Sequence, residues 1–288
     1  MTNASPLLHG TLYIVATPIG NLEDITLRAL RTLKEVEYIA AEDTRHTKKL
    51  LNHFGIKTKL ISYYREQEVQ RAEQICGFLA AGHDIAVVTD AGTPCISDPG
   101  AVIVQKAMQE DFKIVPIPGA SALTAALSCA GINDSPVMFY GFAPPKKNQR
   151  RQLLQSLVHA DHYSVFYESP HRIEAFVEDA HAVLENRQVF MARELTKSFE
   201  EIVQCSLEEL LQRVAGKKNR GEFVLILAPG ETAPAKEQDL VKLILWYRDH
   251  TEISLKDCCK TLAADLGISR SQIYQQALLI WHDKEDIT

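Results

Sequence analysis

The chain has 288 residues, 46% of them apolar, and a formal net charge of −6. That length predicts two domains with a small appendage, and the acidic balance argues against bulk electrostatic affinity for nucleic acid. No run approaches the roughly 18 apolar residues of a membrane span, and residues 1–10 lack the basic and apolar regions of a secretory leader, so a cytoplasmic location is expected.

Thr11 to Thr17 reads as a buried first strand and Pro18–Asn21 as a turn, with Asp24 or Thr26 capping a helix to about Leu33. Tyr38–Ala41 is a short strand that ends in Glu42-Asp43-Thr44-Arg45-His46, and Lys48 to Phe54 is helical until Gly55 stops it. A third strand, Leu60–Tyr63, precedes a helix over Arg71–Ala81. Ile85–Val88 then runs straight into Thr89-Asp-Ala-Gly-Thr-Pro-Cys-Ile-Ser-Asp-Pro-Gly100. This is a buried strand followed by a turn-rich loop, the place where open α/β sheets bind ligands, a rigid turn with Asp90 capping a helix being the alternative. Gly92 and Gly100 allow close backbone approach, Pro94 and Pro99 stiffen the loop, and Asp90 offers an acceptor. A helix over Val102–Met108 and a strand over Lys113–Pro116 complete an alternation that predicts a mainly parallel sheet.

Pro118–Leu123 reads as a hinge into a helix of small residues, suited either to admitting a ligand or to close helix–sheet packing. Beyond Gly131, strands over Val137–Phe142, Ser164–Tyr167, Gln188–Ala192 and Glu222–Ala228 alternate with helices near Gln149–Leu157, Ile173–Leu184 and Leu207–Val214. They predict a second α/β domain with a mixed sheet. Pro229–Pro234 reads as a linker and Gln238–Arg248 as an amphipathic helix; Ala263, Gly267 and Ile273 then carry helix-turn-helix spacing, a plain helical hairpin being the alternative. The expected fold class is therefore α/β, two α/β domains and a small helical C-terminal module, divided as 11–118, 119–233 and 234–288.

The chemistry is bounded as much by what is missing. Six cysteines without C-x-x-C spacing and ten histidines without H-E-x-x-H predict reduced thiols and no metal. There is no G-x-G-x-x-G after the first strand, no G-x-x-x-x-G-K-[ST] and no G-x-S-x-G. What remains is a ring of polar, turn-rich strand ends, which suits binding a reactive cofactor more than acid–base hydrolysis. Basic clusters at Arg45–Lys49, Lys146–Arg151 and Lys217–Arg220 keep a polyanionic partner in play despite the net charge.

Seven stretches match one pattern together: Val15–Thr26, Ala41–Arg45, Thr89–Pro94, Pro118–Ser121, Tyr140–Lys146, Tyr167–Arg172 and Ala192–Lys197. With them the chain resembles the tetrapyrrole-methylase-like S-adenosylmethionine family over about residues 11–230. Within it the chain is similar to the branch that methylates the ribose 2′-hydroxyl of a cytidine in 16S rRNA. The tetrapyrrole branch carries a Gly-rich loop after the first strand; Ala16–Asn21 stands there instead, as in the RNA branch. The resemblance implies S-adenosylmethionine as cofactor, a homodimer, and the small ribosomal subunit as partner, with neither membrane nor DNA.

It further implies a cofactor cleft between the two domains, lined by Pro18, Asp90, Gly92, Ser121 and Ala122, with Tyr167, Met191 and Pro229 added by the second domain. On the substrate side, strand-end charges that could face the cleft are Glu42, Asp43, Arg45, Lys146, Glu168, Arg193 and Lys197; Arg45, Glu168 and Arg193 are the expected catalytic set. Two other functions remain compatible with the sequence, a small-molecule tetrapyrrole methylase on the same fold and a non-catalytic nucleic-acid-binding regulator. The C-terminal module and the basic loop at Lys146–Arg151 weigh against the first, and the two α/β domains against the second.

Overall fold

In a computed structural model, residues 9–230, 237–251, 253–266 and 269–281 are described. Continuous apolar runs form the first sheet: β1 (Thr11–Val15), β2 (Tyr38–Ala41), β3 (Lys59–Ser62), β4 (Ile85–Val88) and β5 (Lys113–Ile117). They lie in the order β3-β2-β4-β1-β5, all parallel. Side-chain alternation sends Leu12, Ile85 and Val87 to one face, against Ile75 and Leu79 of α3 (Glu68–Ala80) and Ile103 of α4 (Ala101–Gln109). Val15, Ala86 and Val88 meet Ala29 and Leu33 of α1 (Leu27–Glu35) and Leu51 of α2 (Thr44–His53) on the other. A strand buried on both faces must be apolar at every position, which is why β4 reads as Ile-Ala-Val-Val.

Helix starts follow from caps. The Thr26 hydroxyl accepts from Ala29 N, which decides between the two expected caps of α1. Asp43 accepts from Arg45 N and starts α2 at Thr44, four residues before the expected Lys48, so Arg45 and His46 sit in a helix's first turn and not in a loop.

The chain leaves the first sheet at Pro118–Ser121 and enters α5 (Ala122–Cys129). The second sheet contains β6 (Val137–Phe142), β7 (Tyr163–Glu168), β8 (Gln188–Arg193), β9 (Glu201–Ser206) and β10 (Phe223–Leu227), in the order β6-β7-β10-β8-β9. Only β6 and β7 are parallel; β10 runs antiparallel between β7 and β8, and β9 antiparallel to β8. The mixed sheet agrees with the sequence, but β9 is an addition to it, a half-exposed edge strand with alternating polar residues.

Ala126 of α5 packs with Val165, Phe190, Ala192, Val224 and Ile226 on one face. Three further helices, α6 (Lys147–Ser156), α7 (Ile173–Leu184) and α8 (Leu207–Val214), serve the same half of the chain. Within this set Asp179 of α7 is buried and binds both Arg150 and Arg151 of α6, each at 2.6 Å. Two cations of the basic run Lys146–Arg151 are thus committed to an internal ion pair, which removes them from the charges available to a polyanion.

Both sheets belong to one compact unit that ends at Pro229, so the expected division at 118/119 separates two sheets within a unit. A second unit holds α9 (Glu237–His250), α10 (Leu255–Leu266) and α11 (Arg270–Trp281), with residues 159–161. Leu240, Ile244, Cys258, Cys259, Leu262, Ile273 and Ala277 form its core. Ile273 is the expected anchor of the last helix; Gly267, expected at the turn, and linker residues 231–234 lie outside the described residues. All six cysteines are free, and among the described residues no helix is long and apolar enough to cross a membrane.

Candidate functional site

The site grows out of the carboxyl end of β4. After Val88 the chain turns at Gly92, whose φ of +86° only glycine adopts without strain, and two further non-glycine residues, Cys95 and Ser97, hold φ near +70°. The turn is clamped to the end of β1 by a reciprocal backbone pair: Thr17 N donates to Gly92 O at 2.8 Å and Gly92 N to Thr17 O at 3.0 Å. The neighbouring strand end is tied in by side chains. Thr89 Oγ1 donates to Glu42 Oε2 at 2.8 Å, and Asp43 N donates to Asp90 Oδ1 at 3.1 Å.

From the second sheet comes the opposite wall. Because β10 is antiparallel to β7 and β8, Phe223 pairs with Glu168 on one side and Arg193 on the other. The ends facing the first sheet's loops are therefore the finish of β7 and β8 and the start of β10. Tyr167 OH accepts from Leu123 N at 3.0 Å and so holds the first turn of α5. The loop after β8 approaches the loop after β1 closely: a Cβ on Gly20 would lie 2.4 Å from Lys197 Cγ, and Asn21 N donates to Thr196 Oγ1 at 3.1 Å.

Two adjoining cavities result. The first, about 260 Å³, is lined by residues of both sheets, including Asp90, Gly92, Asp98, Ser121, Ala122, Phe142, Tyr167 and Glu168. The second, about 560 Å³, is lined by Thr17, Pro18, Gly20, Leu22, His46, Thr47 and Lys49. Ile19, Thr89, Asp90, Ala91, Lys197 and Glu222 border both.

The first cavity is acidic. Burial raises the Asp90 carboxyl above its ordinary range against the hydrogen bond from Asp43, and Glu42 adds to the rise. Burial and the neighbouring Glu42 push Asp98 up to about 6, although a hydrogen bond with Thr89 opposes it. Glu168 is 1% exposed and is likewise raised by burial, partly offset by Arg172 at 3.2 Å. Lys197 is the cation of this wall. Burial works against its charge, but Glu194 at 2.7 Å and Glu222 at 3.1 Å more than compensate, so it stays protonated and cannot act as a base. An enclosed site with surplus carboxylates stabilises a cation.

The family of tetrapyrrole (corrin/porphyrin) methylases matches this chain over residues 11–211. The chain belongs to that family. Among methylase relatives, a protein of Halalkalibacterium halodurans named ribosomal RNA small subunit methyltransferase I is 44% identical, covering 92% of this chain and 93% of its own length. The protein of the same name from Neisseria meningitidis serogroup B is 41% identical over 96% of both chains. Solved structures share the methylase fold at lower identity. Diphthine synthase superposes with a TM-score of 0.58 at 16% identity, covering 76% of this chain and 90% of its own. Uroporphyrin-III-C-methyltransferase from Thermus thermophilus gives 0.55 at 16%, covering 80% and 98%.

Against this methylase frame the expected residues divide. Asp90, Gly92, Ser121, Ala122, Tyr167 and Glu168 meet around the first cavity and Pro18 lines the second. Met191 lines neither. It is buried on β8 between Phe190 and Ala192, and since those two face α5, alternation turns Met191 to the opposite face of the sheet. Pro229 also lines neither: it follows the far end of β10, whose start, Phe223 and Val224, is the part at the cavity. The antiparallel insertion of β10 decides this. Arg45 lines neither cavity and pairs in solvent with Asp43 at 2.8 Å, while Arg193 pairs with Glu201 at 3.4 Å.

Sequence reasoning passed over Asp98, Phe142 and Glu222 and left Glu42 and Lys197 among several strand-end charges. Asp98 stood within the recognised loop, eight residues after Asp90, and a second acid in a binding loop was the available signal. Phe142 had only its place in the Tyr140–Lys146 stretch of the family pattern and Glu222 none, since each becomes a wall residue only when the two sheets face each other.

Proposed function

We propose that the chain is an S-adenosylmethionine-dependent methyltransferase that methylates the ribose 2′-hydroxyl of a cytidine in 16S rRNA of the small ribosomal subunit, in the cytoplasm. The observation that carries this reading is identity above 40% along nearly the full length to relatives named for that rRNA. The cavity's chemistry agrees with it.

S-adenosylmethionine is a cation at its sulfonium, and when bound it supplies an activated methyl and its own leaving group. The residues present fit it: half-buried carboxylates at Asp90 and Asp98 suit a cation, and the small Gly92, Ser121 and Ala122 leave room for an adenosine. In this reading Asp90, Gly92, Ser121, Ala122 and Tyr167 hold the cofactor, with Pro18 at the rim. A ribose hydroxyl is a weak nucleophile, so the chain must align it and give its proton a destination. In this reading Glu168, its carboxyl raised by burial and held by Arg172, receives that proton from the cavity wall. Arg45 and Arg193, outside the cavities, are left with contacts to RNA beyond the reacting nucleotide.

The same reading treats 11–118 and 119–233 as the two halves of the cleft and 234–288 as an RNA-docking module, with the protein working as a homodimer. Labelled methyl transfer to 30S subunits lacking the modification, followed by nuclease digestion and mass spectrometry, tests it. 2′-O-methylcytidine is the expected product. No incorporation into subunits or free 16S rRNA, with the cofactor bound, overturns it in favour of a small-molecule acceptor.

A further inference from the structure

The two adjoining cavities differ in charge. Around the first stand Glu42, Asp90, Asp98, Glu168 and Glu222 against one cation, Lys197. Around the second stand His46, Lys49 and Lys197 against Asp90 and Glu222. His46 and Lys49 are three residues apart on α2, hence neighbours on one helix face, and both are exposed while Thr47, Leu50 and Leu51 are buried. Among the described residues Lys49 has no carboxylate in ion-pair range, unlike Arg45, which Asp43 neutralises. Lys48 continues the exposed basic surface of the same helix. A cationic donor and a polyanionic acceptor must sit side by side for methyl transfer, and a strongly acidic cavity that shares a wall with one where Lys49 and Lys197 balance the two carboxylates meets that need.

We propose that the second cavity is the acceptor-nucleotide site, with Lys49 and His46 of α2 taking backbone phosphates of the RNA strand that enters it. The proposal rests on the methyltransferase reading above and adds to it where the RNA binds. The ammonium of Lys49 is a compact charge on a flexible stem, suited to a phosphate whose position shifts as the strand docks. Leu22, lining the same cavity and partly exposed, offers apolar surface to a base or ribose. The wall shared with the first cavity, Thr89–Ala91, would bring the acceptor ribose next to the donor.

The test is steady-state methylation of unmodified 30S subunits by wild type, Lys49→Ala, Lys49→Arg and, in the loop that enters the amino end of β3, Lys57→Ala, together with calorimetric titration of each with S-adenosylmethionine. Loss of one phosphate contact raises KM for subunits about tenfold and lowers the salt slope of binding by ~0.7, with kcat and cofactor affinity unchanged in Lys49→Ala. Lys49→Arg restores most of the loss, and Lys57→Ala behaves as wild type. An unchanged KM in Lys49→Ala overturns the proposal, as does an equal loss in Lys57→Ala, which would mean diffuse charge. Cofactor affinity falling in step with KM also overturns it, by giving the cavity to the cofactor. Failure of wild type to methylate subunits refutes the underlying reading as well, and shows before any variant is compared.

Discussion

Replacing Asp98 by Asn isolates the cost of holding negative charge in the first cavity. The carboxyl moves from its ordinary 3.8 to about 6 on folding, chiefly through burial and then through Glu42. That displacement corresponds to ~3 kcal/mol at full strength, and because Asp98 is only half-buried, solvent screening reduces it to about 1–2 kcal/mol. A carboxyl whose folded pKa is raised keeps its proton in the native state while the unfolded chain has lost it. Stability is therefore full below pH 3.8 and declines as pH rises through 6. Asn carries no such charge. Wild type and Asp98→Asn should be equally stable near pH 3.8, and at pH 7.5 the variant should lead by about 1–2 kcal/mol, or roughly 3–6 °C in Tm for a unit of this size. Urea and thermal unfolding of the full chain without cofactor, read at both pH values, measure this. A gap that does not change with pH refutes the electrostatic reasoning. So does a variant less stable at pH 7.5, since the carboxylate would then be making a net favourable contact.

Other perturbations probe the remaining parts. Asp90→Ala should weaken S-adenosylmethionine binding roughly tenfold or more, the size of a lost charge-assisted contact, in an isothermal titration; unchanged affinity would remove Asp90 from the cofactor site. Met191→Leu should leave cofactor affinity and methyl transfer as in wild type, because Met191 faces away from the cavity; a clear loss of binding would restore it to the site. Asp179→Ala strands the buried Arg150 guanidinium and should destabilise the chain by about 3–5 kcal/mol in urea unfolding, while a cost under about 1 kcal/mol would mean that the pair is solvated.

Element identity was legible wherever one segment carried its own signal. The apolar runs of β2, β4 and β6, the Thr26 cap and the helix over Ile173–Leu184 depend on local pattern and sit where the pattern puts them. Asp90 and Gly92 were legible as a pair for a related reason, since an acid and a glycine just past a buried strand mark a turn-rich loop, whereas Ser121 and Tyr167 rested on the family resemblance; all four line the first cavity. β9 was not, because an edge strand with polar alternation is stabilised by its ladder to β8 and not by its own composition.

What the sequence by itself determined is the alternation of strands and helices, the turn-rich loop after β4 and the family to which the chain belongs. Tertiary structure decided which face each strand residue presents and which strand ends meet. Met191 and Pro229 fall outside the cavities because β8 alternates and β10 enters antiparallel between β7 and β8. Asp98, Phe142 and Glu222 fall inside because two sheets far apart in sequence bring their loops together. Side-chain direction and loop convergence are properties of pairing and packing, and no single segment of the chain encodes them.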